Sequence, residues 1–415
     1  MILFSSGEKK ETGRIRQSIN VCLSILQWIP KHIIMSSLRC AAMLFPVDRN
    51  KVFFSNFSGK RYGDSPKYIS EALHESNPEV TIVWQQKRGY HLDFPDYVRV
   101  VTIPSFRSIY ELTTSGIWVD SHLKSLYVKK RKGQFFLNTW HGGLGFKRIE
   151  NDVSNPEKTL EKWKALRTAK MVDIFLSNSR WIEDIYQSAF GYHGKVARTG
   201  FPKNDFLLGD VSSAGDKVRE QYGLQGRYVI LYAPTFRDVP VKEQFAIDPG
   251  EIMRTAEQSV GKGRKAVFLV RFHPVIQSAA RFFSFSQDVI NVTDYPDSQE
   301  LIAAADCVIS DYSSIVFDAA FLKKPVFLFT PDYEQYAEEI GFYIGLDEYP
   351  FSYGSDTESV CANILRYDHN EYLRKVQSFM EKVELTETGN ATEEAVRIIQ
   401  EELRKGQEAK RSKEK

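Results

Sequence analysis

A histidine followed by two glycines, His141-Gly142-Gly143, closes the apolar run FFLNTW. A second histidine, His273, follows the run VFLV in the string RFHP, with Arg271 two residues before it. Paired glycines let a backbone approach a ligand closely and leave an imidazole exposed at a strand end. With an ordinary pKa of about 6.5, such an imidazole takes a proton from an alcohol near neutral pH, which makes His141 a general-base candidate. The structural alternative is a histidine that caps the following helix. Pro274 stops the strand ladder after His273, so Arg271 and His273 can turn into a cleft and donate to a diphosphate. Otherwise Arg271 pairs with a structural carboxylate and His273 is a satisfied loop residue.

The remaining polar residues at the ends of apolar runs extend this set. Ser310, Asp311, Ser313 and Ser314 lie in SDYSS, which passes directly into the helical pattern IVFDAAFL. Hydroxyls and free backbone N–H groups at a helix start suit an anion, although Ser and Asp are also the usual N-caps. Asp318, four residues after Ser314, is either an acceptor for a ribose hydroxyl or a solvent-facing acid. Thr235 and Arg237, in YAPTFRD, add a hydroxyl and a guanidinium to the phosphate set or belong to a surface loop. Asn178, in SNS, fits a turn as well as a ligand contact. The chemistry these groups suggest is phosphoryl transfer, which needs a hydroxyl deprotonated on one side and cations or N–H donors around the phosphates. No two aspartates stand at D-x-D spacing and no P-loop is present, so the expectation is a metal-independent reaction without a cofactor. The string GKGRKA from Gly261 precedes a strand, so it lacks the context of a dinucleotide fingerprint.

The elements that must position these residues are legible from periodicity. The chain has 415 residues, of which 42% are hydrophobic, with 55 Lys or Arg against 53 Asp or Glu, so disorder and fibre are excluded. Hydrophobic cores stop growing at roughly 250 to 300 residues, which predicts two domains with a cleft between them. Short β-branched or aromatic runs alternate with longer mixed segments, the pattern of βαβ units and parallel sheets. The runs fall at 51–55, 79–84, 98–103, 116–120, 135–140, 173–177 and 195–198, then at 228–233, 266–271, 288–292, 306–310 and 325–329. The expected organisation is an amphipathic basic segment over 1–50, two doubly wound domains over 51–208 and 209–400, and a charged tail, either a frayed helix or disordered, over 401–415. In doubly wound sheets ligands bind beyond the carboxyl ends of the strands, where the residues above were found.

Charge and cysteine usage narrow the setting. Both termini are basic and the body between them is net acidic, which argues against general nucleic-acid binding. The four cysteines, Cys22, Cys40, Cys307 and Cys361, are widely spaced and fit a reducing cytosol. No apolar run is long enough to span a bilayer, and a signal peptide is not expected. Ile15, Ile19, Cys22, Leu26, Ile29 and Ile33 nevertheless draw one apolar stripe along a helix, with Arg14, Arg16, Lys31 and Arg39 nearby and Pro30 as a kink. That stripe suits either a helix on an anionic membrane face or a helix packed on the first domain.

The order NTWHGG, SNS, TGFPKND, YAPTFR, RFHP, ISDYSS and FDAAFLKKPVF resembles the CDP-glycerol glycerophosphotransferase family, the primases and polymerases of teichoic acid and related capsule polymers. The resemblance covers roughly residues 50 to 385. It implies an α/β protein of two Rossmann-like domains in the glycosyltransferase B-type (GT-B) arrangement, with the acceptor on the first domain and a CDP-alcohol on the second. By carry-over His141 looks like the catalytic base, and Arg271, His273, Ser313 and Ser314 look like the diphosphate-binding group. The resemblance also implies CDP-glycerol as donor, a lipid-linked saccharide or polymer acceptor, CMP as leaving group, and peripheral attachment to the cytoplasmic face of the cell membrane. CDP-ribitol, or a nucleotide sugar on the same architecture, is the alternative donor. After the histidine this chain reads GGLGFKRIENDV, where many family members carry Thr or Ser two residues on.

Overall fold

The structure, a computed structural model, describes residues 32–153, 159–235, 237, 240–261 and 263–414. Two wholly parallel sheets organise the chain. The first contains β1 (Asp48–Ser55), β2 (Thr81–Lys87), β3 (Arg99–Ile103), β4 (Ser115–Asp120), β5 (Phe135–Asn138), β6 (Ile174–Ser177) and β7 (Lys195–Arg198), in the order β3-β2-β1-β4-β5-β6-β7. The second contains β8 (Tyr228–Tyr232), β9 (Ala266–Val270), β10 (Val289–Asn291), β11 (Cys307–Ser310), β12 (Val326–Phe329) and β13 (Ser352–Gly354), in the order β10-β9-β8-β11-β12-β13. Each order reverses beside its first strand, between β1 and β4 and between β8 and β11, and a doubly wound sheet opens a crevice at that switch point.

Parallel strands covered on both faces read as continuous apolar runs, and the alternation of their side chains decides which face each residue serves. In β1, Val52 and Phe54 join a cluster with Ile82, Ile117 and Leu137, while Phe53 points to the other face with Trp118, Phe136 and Phe175. In the second sheet Val229 and Leu231 serve one core, and Ile230 and Tyr232 the other. Phe53 is fully buried, and truncating such a ring to alanine costs about 3 to 5 kcal/mol. Every predicted run coincides with an observed strand to within a few residues. The thirteenth strand, Ser-Tyr-Gly, is three residues long, two of them exposed, and has no apolar run to announce it.

Two segments cross between the halves. Leu144 and Phe146, just after His141, lie in the core of the second sheet, where Phe146 packs 4.2 Å from the Tyr349 ring and 5.5 Å from Phe317. The helix Ala391–Glu414 returns to the first sheet, placing Ala395, Val396, Ile399 and Leu403 against Val52, Phe54 and Ile69. It runs through the expected division at 400/401, and 401–414 continues as helix, the first of the two expected alternatives, rather than as a disordered tail. The cause is the apolar spacing 395, 399, 403, which gives this helix a stripe to bury.

The expected amphipathic stripe from Ile15 to Ile29, with Pro30, lies outside the described residues. Residues 32–42 are helical, and Met35 and Ala42 pack on Ile109. Among the described residues no helix is long and apolar enough to cross a membrane.

Candidate active site

His141 stands at the end of β5 because the chain there makes a forced turn. The Trp140 N–H donates to Asn138 Oδ1 at 2.8 Å, and Trp140 takes the left-handed φ of 51°, sparsely populated for a residue with a Cβ. The turn lifts the imidazole off the sheet, and Nδ1 of His141 meets the Ser121 carbonyl oxygen at 2.8 Å. A carbonyl oxygen only accepts, so Nδ1 carries the proton and Nε2 keeps a bare lone pair. Ser121 is itself braced, because its hydroxyl donates to Asn56 Oδ1 at 2.6 Å across the β1/β4 switch point. Burial, then the neighbouring His122, lowers the His141 pKa to about 3. The ring is therefore neutral at pH 7.

The second half meets this imidazole from across the crevice. The Phe57 ring, at the end of β1, has its centroid 5.0 Å from His141 and 6.5 Å from His273. A Cβ on Gly142 would lie 3.9 Å from Ser314 Oγ, so the turn after β5 faces the SDYSS loop. His273 is also pushed down to about 3, first by burial and then by Lys147, Arg61, Lys60 and Arg271. Beside it Arg271 donates from Nη2 to the Tyr295 carbonyl at 3.3 Å, while its buried Nε has no acceptor. His141, Gly142, Arg271, His273 and Ser314 thus share one crevice. The Thr235 hydroxyl, at the neighbouring strand end, is buried without a partner.

Other expected site residues are committed to the fold. Arg237 donates from Nε and Nη2 to Asp332 at 2.7 and 2.9 Å, sits 3.0 Å from Asp311 and lies over the rings of Tyr312 and Tyr336. Nη1 donates to the Thr235 carbonyl at 3.1 Å, so most of this guanidinium is held within the fold. Asp311 also accepts from the Thr235 and Tyr312 N–H groups. The Ser310 hydroxyl donates to the Ala233 carbonyl at 2.6 Å. Asp318 is buried rather than solvent-facing, and its Oδ2 accepts from Lys203 Nζ and Gln299 Nε2, each at 3.0 Å. Ser313 accepts from the Ile315 N–H at 3.4 Å, an N-cap contact. Gly143 answers to packing, since a Cβ there would lie 2.5 Å from the Asn178 amide and 2.6 Å from Phe201. Asn178 donates to Glu387 Oε1 at 2.9 Å.

Several residues that shape the crevice were not expected from sequence. Phe57, Ser121 and His122 lie at the ends of β1 and β4, and a search of every strand end would have found them. Lys203 and Glu387 carry no such signal. Lys203 reaches from the first half to Asp318 in the second, and Glu387 accepts from Asn178, Asn204 and the Phe201 N–H. Burial raises the Glu387 pKa to about 7, against the opposing effect of those hydrogen bonds.

The same architecture recurs in known proteins. The family model described as CDP-Glycerol:Poly(glycerophosphate) glycerophosphotransferase matches residues 37–401. A teichoic acid poly(glycerol phosphate) polymerase of Staphylococcus epidermidis is 28% identical over 371 residues, 85% of this chain and 51% of its own length. One of Bacillus subtilis is 26% identical over 414 residues, 96% of this chain and 54% of its own. The chain thus spans about half the length of these curated relatives. Among solved structures, a variant of the wall teichoic acid polymerase TagF superposes with a TM-score of 0.80 at 26% identity, covering 98% of this chain and 100% of that one. A form of TagF soaked with CDPG gives 0.79 at 25% identity, covering 97% and 100%. With two doubly wound sheets facing one crevice and a family match across nearly the whole length, this chain belongs to the CDP-glycerol:poly(glycerophosphate) glycerophosphotransferase family.

Proposed function

We propose that this chain transfers glycerol phosphate from CDP-glycerol to a hydroxyl of a lipid-linked or polymer acceptor, releasing CMP, in the synthesis of teichoic acid or a related capsule polymer. The observation that carries this reading is the His141 imidazole, held neutral with Nε2 bare, in the same crevice as Arg271 and His273. In the proposed reaction Nε2 of His141 takes the proton of the acceptor hydroxyl, and the oxygen attacks the β-phosphorus in line. The new O–P bond forms as the bond to the bridging oxygen of CMP breaks. Arg271 and a neutral N–H of His273 offset the charge spreading over the phosphate and the departing CMP. A pKa of about 3 makes His141 a weak base while only protein groups surround it. A bound diphosphate, carrying negative charge, raises it toward the working range, so basicity follows donor binding.

Replacing His141 by Ala should lower turnover by about 10² to 10⁴, the range for loss of a general base, with CDP-glycerol affinity nearly intact by calorimetry. Full activity in that variant removes the role. Product mass after reaction with a lipid-linked disaccharide acceptor identifies the transferred unit, and a hexose increment in place of glycerol phosphate rejects the donor.

The proposed working place is the cytoplasmic face of a membrane. Supporting it, Ile33, Ile34, Leu44, Phe45 and Phe106 are exposed beside Arg39 and Arg107, and Trp163 is exposed on the helix Thr159–Ala169. Burial, then repulsion from Arg39, lowers the pKa of Arg167 on that helix, which brings the two sets of cations near each other. Apolar side chains ringed by cations suit an anionic bilayer surface. Leu44→Asp with Trp163→Asp should abolish co-flotation with anionic vesicles.

A further inference from the structure

The turn after β1 carries Lys60 and Arg61, which no step above uses. Its outer side is fixed. Asn56 Nδ2 donates to the Gly63 carbonyl at 2.8 Å, and Gly59 packs so tightly on β2 that a Cβ would lie 2.9 Å from Gln85 O and Lys87 N. Phe57 and Ser58 both hold left-handed φ, 43° and 56°, a conformation that persists only where its surroundings brace it. The braced turn presents Phe57 to both histidines and carries the following cations toward the second half.

Across the crevice stands Arg271. Burial and repulsion from Arg61 together lower its pKa to about 9, and Lys60, Arg61 and Lys147 add to the field at His273. Asp64 and Asp294 also attract Arg61, and Asp297 is the carboxylate near both guanidiniums. It is already engaged, its Oδ2 accepting from Lys67 Nζ at 3.2 Å and the Tyr68 hydroxyl at 3.3 Å, and its Oδ1 from the Gln299 N–H at 3.0 Å. Both halves therefore push positive charge into one crevice, and the buried Nε of Arg271 has no acceptor there. Two guanidiniums close enough to repel, one from each half, are stabilised together by an anion bound between them.

Resting on the donor reading above, we infer that Arg61, with Lys60 beside it, binds the donor diphosphate from the first half of the chain, opposite Arg271 and His273 of the second. The donor is then gripped by both lobes, and its phosphates draw together the acceptor-side turn and the nucleotide-side loop.

Calorimetry of CDP-glycerol on the full chain tests this, with wild type, Arg61→Gln, Arg61→Lys and Lys60→Gln compared. Arg61→Gln should weaken CDP-glycerol binding by about tenfold or more, the effect of losing one charge-assisted contact. Arg61→Lys should recover part of the loss, Lys60→Gln should show a smaller one, and cytidine should bind all four alike. The unliganded Arg61→Gln protein should melt at or above the wild-type temperature, because a repulsion has been removed. Equal CDP-glycerol affinity in wild type and Arg61→Gln overturns the inference while leaving the donor assignment standing. So does a raised KM for the acceptor alone, or a lowered melting temperature with unchanged binding. Failure of the wild type itself to bind CDP-glycerol overturns both.

Discussion

Arg237 and Arg271 follow neighbouring strands, β8 and β9, of one sheet, and they live in opposite surroundings. Arg237 is bound by Asp311 and Asp332, stacked over Tyr312 and Tyr336, and its pKa is driven above the ordinary value. Arg271 makes one hydrogen bond to a carbonyl, keeps a buried Nε without an acceptor, and is lowered to about 9 by burial and by Arg61. A buried cation with its counter-charges in place belongs to the architecture. One without them is stable only at a cost that a ligand can offset, which marks it as functional. The chemistry of a residue type says little until the positions of its counter-charges are known.

Substituting each arginine separates the two cases. Arg237→Met leaves Asp311 and Asp332 buried beside each other with no cation, so it should destabilise the protein by about 3 to 5 kcal/mol in urea unfolding. If that variant keeps its stability and loses only donor binding, the contrast is inverted. Arg271→Met should do the reverse, lowering turnover by about 10² to 10³, as for loss of one oxyanion donor, while the melting temperature stays level or rises. A collapse of its stability with normal turnover in the remaining folded protein would put Arg271 among the structural cations.

The strands were legible because both sheets are parallel and buried, so runs such as VFLV and YVILY announce themselves without knowledge of their partners. The strand-end rule then led to His141 and His273, which the fold brings to the same ring, Phe57, with Arg271 two residues before His273. What stayed hidden depends on pairs distant in the chain. Nothing local to YAPTFRD reveals that Arg237 meets Asp332, nor does TGFPKND disclose that Lys203 reaches Asp318, 115 residues later. The Phe57 turn was missed for a different reason: SNFSGKR follows a strand like the others, but it holds no histidine and reads as an ordinary turn. The last helix was legible only as one of two alternatives because its charges outnumber its apolar residues, although Ala395, Ile399 and Leu403 suffice to dock it.

Among the acids, Glu387 stands where Arg271 stands among the cations. Its carboxylate accepts hydrogen bonds from two amides and a backbone N–H, with Lys203 a weaker and more distant influence, and burial raises its pKa to about 7. A carboxyl raised on folding binds a proton more tightly in the native state, so stability is highest at low pH and declines as pH rises from about 4.5 to 7. Asp64, raised to about 6 by burial, adds a slope of the same sign. At about 1.4 kcal/mol per pKa unit, the Glu387 contribution reaches at most roughly 3.5 kcal/mol. Glu387→Gln removes the titration, so urea unfolding of this variant should depend less on pH across that window and should exceed wild-type stability at pH 7.5. Below pH 4.5 the order should reverse, because an amide nitrogen cannot accept from both the Asn side chains and the Phe201 N–H. An unchanged pH slope would mean that Glu387 is ionised in the native state, and that its hydrogen bonds outweigh burial.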